Sequence, residues 1–222
     1  MAPIVKICGL STAATLEAAL RAGADMVGFV FFPKSPRHLA YDAARALGRQ
    51  ARGRAKIVAL SVDADDDTLS RIVEALSPDI LQLHGRESPA RVHDIRDRCV
   101  RPIMKAIGVA AREDLAAAEP YENAADFLLI DAKPSREAIL PGGNGLAFDW
   151  RLANDFFPRR PWLLSGGLDP VNVAEAIART GVRGVDVSSG VESAPGVKDE
   201  AKIKAFIAAA RDAFARATEG VE

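Results

Sequence analysis

Short apolar runs recur along this chain, eight in all: "IVKIC", "MVGFVFF", "KIVALSV", "ILQLHG", "PIMKAIGV", "FLLIDA", "WLLSGG" and "GVDVSSG". Each is bounded by Gly, Pro, Asp or Ser, which interrupt regular structure, so each run predicts a strand. Between them lie Ala-rich stretches with apolar residues at helical spacing, such as "TAATLEAALRAG", "YDAARALGRQARG" and "PVNVAEAIARTG". The last run is followed by "KDEAKIKAFIAAARDAFARAT", which predicts a long closing helix. Strands alternating with helices imply a parallel sheet. Eight such units in 222 residues match an α/β fold, a (β/α)8 TIM barrel that forms one domain over residues 1–222. An open, doubly wound sheet is the alternative. It would normally announce a Gly-rich turn after its first strand, and "ICGLSTAATLE" is a poor dinucleotide fingerprint. The longest irregular stretch, "AKPSREAILPGGNGLAFDW", follows the sixth run; it is long for a strand-to-helix loop, and such loops are more often functional lids or disordered. "DADDD" at 63–67 reads as a helix start, because Asp favours helix N-termini.

Composition narrows the class. Apolar residues make up 49%, enough for a sizeable core, and the formal charge is −1. That balance argues against nucleic acid or an anionic membrane surface as partner. No apolar run approaches the ~20 residues of a membrane helix, and "MAPIVKICGL" lacks the apolar stretch of a secretory signal. Cys8 and Cys99 are the only cysteines, so a disulfide framework is not expected and a reducing, cytoplasmic setting is.

Strands of a parallel barrel should be almost wholly apolar, so their polar residues carry information. Lys6 and Cys8 share one face of the first run, Gln82 and His84 one face of the fourth, Asp186 and Ser188 one face of the eighth. Lys105 and Asp131 also interrupt apolar runs. Most of these lie near C-terminal strand ends, where barrel active sites are built. Plainer readings stand beside this one. Cys8 can be a small apolar packer. Lys6, Lys105 and Asp186 can form an internal ion-pair network, the preferred reading for both lysines. His84 can be a bonded core histidine. Asp131 is hardest to dismiss, because a carboxylate ending "FLLIDA" must be paired, protonated or solvated.

"LSGGLDP" at 164–170 places two glycines where backbone N–H groups can approach an anion, with Asp169 and Pro170 as cap and first residue of the next helix. "DVSSGVES" repeats the small-residue theme in the next unit. Two ordinary tight turns are the bland alternative; two in adjacent units favour phosphate, as the loops after the seventh and eighth strands commonly do in this fold. The histidines lie in different units without ligand spacing, and Ser188 and Ser189 have no evident His–Asp partnership, so neither a metal nor a serine triad is expected.

With these residues in hand, the chain closely resembles the phosphoribosylanthranilate isomerase family. The resemblance runs through "VKICGL", "GADMVGFVFFPKSPRHL", "LQLHG", "LLIDAK", "GGNGLAFDW", "LSGGLDPVNV" and "VDVSSGVESAPGVKD". It implies a cofactor-free Amadori rearrangement in tryptophan biosynthesis, acting on a small phosphosugar, by a monomer or homodimer. By the same resemblance Cys8 is the general base and Asp131 the general acid. Arg37 of "PKSPR" meets the anthranilate carboxylate. Asp186 lies near the sugar hydroxyls, with Gln82 and His84 as further substrate contacts. Phosphate meets Gly166, Gly167, Ser188, Ser189 and Gly190. One departure is Leu146 and Ala147, where family members often carry Lys and Thr after "GG-G". Rival readings are another phosphosugar isomerase on the same barrel, or a silent phosphosugar-binding protein. An ordinary thiol near 8.5 is assumed for Cys8.

Overall fold

A computed structural model describes residues 2–133 and 149–219. Eight strands, β1 (Ile4–Cys8), β2 (Met26–Phe31), β3 (Lys56–Ser61), β4 (Ile80–Leu83), β5 (Ile103–Val109), β6 (Phe127–Ala132), β7 (Trp162–Leu164) and β8 (Gly184–Val187), close into a barrel in chain order. All eight neighbouring pairs are parallel. Closure sets aside the open sheet. Around the barrel lie α1 (Ala13–Ala22), α2 (Tyr41–Ala51), α3 (Asp66–Leu76), α4 (Pro89–Cys99), α5 (Val173–Thr180) and α6 (Glu200–Glu219).

The apolar runs are buried on both sides, which is why they do not alternate. Met26, Val58, Ile80, Met104, Ala106, Leu129 and Leu163 fill the barrel interior, with Ile4 against them. Ile7, Val27, Ile57, Leu81, Ile107, Leu128 and their neighbours form the larger core under the helices. Each such side chain contributes about 1.5–3 kcal/mol on full burial, so two layers of them carry the fold. Polar side chains tie the opposite, N-terminal face. The residue before β2, β4 and β6 is an aspartate each time: Asp25, Asp79 and Asp126 accept the backbone N–H of Val5, Ile57 and Ile103, at 2.7, 2.8 and 2.9 Å. Each carboxylate satisfies an orphan donor in the preceding strand.

Helix starts follow local chemistry. Thr12, Asp65 and Ser88 cap α1, α3 and α4 by accepting the N–H of Thr15, Thr68 and Arg91. The acidic stretch at 63–67 is thus the start of α3, as its Asp content implied. The alternation breaks twice. A 3₁₀ segment, Arg112–Tyr121, follows β5, and a shorter one, Trp150–Ala153, precedes β7. Pro120 lies inside the first and cannot donate an intrahelical bond. The closing helix also starts later than its sequence suggested. Asp199 caps it, accepting from Ala201 and Lys202, so Lys198 lies outside it. Lys198 instead belongs to a small hairpin, β9 (Glu192–Ala194) with β10 (Val197–Lys198).

Lys105 departs from the internal network proposed for it. The parity of β5 turns it out of the barrel, where Nζ meets Glu87 at 3.1 Å and the carbonyls of Leu83, Gly85 and Ala106. Alternate β5 positions, Met104 and Ala106, take the interior, so Lys105 must face the helices.

Candidate active site

The first strand carries its polar face into the barrel. Lys6 is wholly buried and pairs with Asp186 of β8 at 2.7 Å. The register makes this direct, because Lys6 and Asp186 are cross-strand partners. Asp186 also receives Ser165 Oγ at 3.4 Å. Lys6 is therefore the core-filling ion of an internal pair, and Asp186 already has a cation. Breaking such a pair from one side costs about 3–5 kcal/mol, because the other charge is left buried and alone.

Cys8 sits one pleat above Lys6 and is 3% exposed. Its register partner on β2 is Gly28. A Cβ there would lie 2.9 Å from Cys8 Sγ and 3.1 Å from its Cα, so glycine makes room for the thiol. Burial pushes the thiol above its ordinary value, and Asp186 pushes the same way; Lys6 and Lys198 draw it back only in part. The thiol at rest is thus protonated more firmly than an ordinary cysteine, a departure from the value assumed above. For Lys6, burial acts to lower the ammonium's pKa, but Asp186 and then Cys8 outweigh it and the net direction is up. Gly9 follows with φ 76°, in the left-handed region. A Cβ on it would lie 2.7 Å from Arg37 Cδ and 3.2 Å from Ser188 Oγ, so the turn also lets those residues close in.

Asp131 ends β6 on the inward side. Its Oδ1 accepts the N–H of Ala132 at 2.8 Å, and its Oδ2 lies 3.2 Å from His84 Nε2. Behind His84, Gln82 Nε2 lies 3.0 Å from Nδ1. Gln82 is wholly buried, and its amide nitrogen faces the imidazole. Gly166 passes close: a Cβ would meet Ala132 N at 2.5 Å and Asp131 Oδ1 at 3.1 Å.

Arg37 is 5% exposed and held by Glu192, through Nε at 2.7 Å and Nη2 at 2.8 Å. Arg37 is thus a fixed, paired side chain. Glu192 also accepts from Lys198 Nζ at 2.8 Å, and the same Nζ reaches the Ser188 carbonyl at 2.9 Å and its Oγ at 3.2 Å. Burial acts to raise the Glu192 carboxyl, but Arg37 and Lys198 outweigh it and hold it below the usual range. Lys198 is lowered, by burial first and by the like charge of Arg37. One carboxylate between two cations leaves this corner positive, which suits an anionic group. Glu192 and Lys198 escaped the sequence reading. Their signal was faint: two charged residues on a short hairpin after the Ser-Ser-Gly turn.

The two small-residue loops meet. Gly166 and Gly167 have φ of 82° and 68°. A Cβ on Gly190 would run into the Leu168 carbonyl, so that glycine lets the loop after β8 lie against the loop after β7. Among the described residues, the bonds of these loops include none donated by the backbone N–H of Gly167, Ser189 or Gly190. Asp169 caps the turn before α5, accepting from Val171 and Asn172, and the helix proper begins at Val173. The residues around Leu146 and Ala147 lie outside the described residues. Among the described residues no group of His, Cys, Asp and Glu could hold a metal, and no helix is long and apolar enough to cross a membrane.

Comparison with known proteins addresses the same residues. The family model described as N-(5'-phosphoribosyl)anthranilate (PRA) isomerase matches residues 5–209. A protein of that name from Rhodopseudomonas palustris (strain HaA2) is 57% identical over 211 residues, covering 95% of this chain and 97% of the relative. One from Bradyrhizobium diazoefficiens is 59% identical over 211 residues, covering 95% of each. Among solved structures, phosphoribosyl anthranilate isomerase from Thermotoga maritima superposes with a TM-score of 0.85 at 34% identity, covering 96% of this chain and all of that one. A structure in complex with reduced 1-(o-carboxyphenylamino)-1-deoxyribulose 5-phosphate superposes at 0.81 with 33% identity, covering 96% and 100%. Monomers generated from the dimeric Thermotoga maritima protein also superpose at 0.81, with 34% identity and the same coverage. With the matched segment spanning the barrel from its first strand into its last helix, this chain belongs to the N-(5'-phosphoribosyl)anthranilate isomerase family.

Proposed function

We propose that this isomerase converts N-(5'-phosphoribosyl)anthranilate to 1-(2-carboxyphenylamino)-1-deoxyribulose 5-phosphate with Asp131 as general acid and Cys8 as general base. The observation that carries the assignment is the environment of the two groups. Each ends an inward strand face at the C-terminal mouth, and each has a glycine, Gly28 or Gly166, clearing its approach. Asp131 gives its proton to the furanose ring oxygen as the C1–O bond breaks. The anthranilate nitrogen lone pair then forms the C1=N bond of a protonated Schiff base. Cys8 takes the proton from C2, and those electrons move to give an enolamine. Loss of the O2 proton and gain of one at C1 complete the ketone. Atoms balance, and the net change is internal: C1 is reduced and C2 oxidised.

Arg37, aligned by Glu192, faces the benzoate carboxylate, and the joined loops after β7 and β8 cradle phosphate with backbone N–H groups. Asp186, held by Lys6, lies beneath the sugar. The two cysteines are free, which suits a cytoplasmic setting. The working assembly is a monomer or homodimer, which sedimentation distinguishes.

The test is turnover of freshly made substrate, followed by loss of anthranilate fluorescence. Cys8→Ser keeps the shape but offers a hydroxyl too weakly acidic to act as base. Asp131→Asn keeps the shape and removes the proton donor. General acid–base groups contribute about 10²- to 10⁴-fold, or roughly 3–5 kcal/mol of barrier, and each variant should lose at least the lower figure. A folded variant turning over within a few-fold of the parent removes that residue from the mechanism.

A further inference from the structure

Gln82 has no step in that scheme, yet among the described residues it is the most completely buried side-chain amide. It is 0% exposed, and its Oε1 has no hydrogen-bond partner. Its Nε2 lies 3.0 Å from His84 Nδ1, and His84 Nε2 lies 3.2 Å from Asp131 Oδ2. Two consecutive contacts thus connect Gln82, through His84, to the acid.

A neutral imidazole carries one N–H, and the bond made at one nitrogen decides the state of the other. When Gln82 donates through Nε2, Nδ1 must be bare. His84 then carries its proton on Nε2, and the Asp131 oxygen facing it is a carboxylate. A half-turn of the amide puts Oε1 against Nδ1. Nδ1 is then the protonated nitrogen, and one further proton fits between Nε2 and Oδ2. The two arrangements differ by that single proton, the one Asp131 gives up in the reaction. The other end of the amide has no partner to pin it.

We propose that Gln82 is a positioning residue whose amide turns with the proton count of the His84–Asp131 pair. It thereby holds His84 on Asp131 both before and after the acid has delivered its proton. The proposal rests on the reading of Asp131 as acid and gives Gln82 a role other than touching substrate.

Other charges near the pair are accounted for. The positions of β2, β3 and β5 level with the pair hold Val30, Leu60 and Gly108, and Ser165 follows β7; none of these titrates. β1 and β8 bring Lys6, Cys8 and Asp186, with Lys6 and Asp186 paired. Lys198 is paired with Glu192, Lys105 with Glu87, Lys133 with Asp114, and Asp63 with Arg86.

The test combines the pH profile of kcat with 1H–15N NMR of the His84 ring. In the parent, Nδ1 should be bare above the alkaline limb of kcat and protonated below it. Gln82→Glu offers only acceptor oxygens when ionised, so Nδ1 stays protonated and the limb moves up by about one pH unit. Gln82→Met keeps the volume and removes both bonds. It should lose about tenfold in kcat, part of the 10² to 10⁴ of a general acid, with KM nearly unchanged. A limb that does not move in folded Gln82→Glu overturns the proposal. So does a parent His84 whose Nδ1 state is constant across the limb, a measurement that stands even if the variants do not fold. Failure of the acid assignment is separate: Asp131→Asn would then turn over like the parent, whatever the ring of His84 does.

Discussion

Gly28→Ala tests how tightly the fold seats Cys8, the proposed base. The added Cβ would lie 2.9 Å from Cys8 Sγ and 3.1 Å from Cys8 Cα. Ordinary contact distances are about 3.5–4.0 Å, so roughly 0.6–1 Å must be found. The backbone cannot easily supply it. Cys8 and Gly28 are register partners, and the N–H groups of Gly9 and Leu10 both bond the Gly28 carbonyl, at 2.9 and 3.1 Å. The thiol must therefore swing, or the β1–β2 ladder must open. Overpacking of this kind costs about 1–3 kcal/mol. In a chain of this size that lowers Tm by roughly 2–12 °C. A misplacement near 1 Å costs about 10²-fold in rate, so kcat should fall about 10- to 100-fold while KM stays close to the parent's. The assay is steady-state turnover at saturating substrate, per folded molecule, with a thermal melt alongside. A Gly28→Ala enzyme with parental kcat and parental Tm would refute the reasoning, since it would mean the pocket has slack where the distances say it has none.

Other outcomes are expected at the substrate-binding end. Arg37→Ala should raise KM about tenfold or more by removing a bidentate partner for the benzoate carboxylate, and it should also lower Tm, because Glu192 is left buried beside Lys198 alone; an unchanged KM would end the assignment. Inorganic phosphate should compete with substrate at fixed ionic strength, and absence of competition at high phosphate would count against the joined loops as its cradle. The Cys8 thiol is raised in the folded chain, so the stability linked to it is complete below the ordinary value near 8.5 and is lost as pH rises through the folded value. The parent's Tm should therefore fall more steeply above about pH 8.5 than that of Cys8→Ser, and parallel curves would show the thiol is not linked to folding.

The sequence disclosed the fold through one repeated signal. The eight apolar runs became the eight strands with their edges shifted by a few residues, because each was closed by a chain-breaking residue. Asp131 stood out for a related reason, because a carboxylate in a wholly apolar strand has no cheap explanation, whereas Cys8 could equally be a small apolar packer and drew notice only beside Lys6 and through the family resemblance. Side-chain direction on β5 was not legible. Lys105 looks like Lys6 in one dimension, and only strand register separates a lysine in the barrel from one under the helices. The hairpin Glu192–Lys198 was hidden for a different reason. Its lysine merges into a helical pattern, and its glutamate acquires meaning only when Arg37, 155 residues away in the chain, folds onto it. Gly28 was silent because an absent side chain leaves no mark in a pattern of hydrophobicity.

The buried charges also explain why a lysine one pleat from Cys8, the proposed base, does not make it a thiolate. A lone ammonium beside a thiol would lower its pKa. Here the ammonium is committed, at 2.7 Å, to Asp186, whose own charge acts on Cys8 in the opposite sense. Burial, the largest influence, together with Asp186 outweighs the pull of Lys6 and Lys198, and the direction at the sulfur is up. The consequence for catalysis has two sides. Less thiolate is present at neutral pH, which slows the base step. The thiolate that does form is the conjugate of a weaker acid, and so draws more strongly on the C2 proton. A thiol kept protonated is also a poorer target for oxidants and alkylating agents than an activated cysteine. Lys6 and Asp186 thus fill the barrel with charge that stays neutral as a pair, and leave the sulfur above them to be set by the walls of its pocket, Gly28 among them.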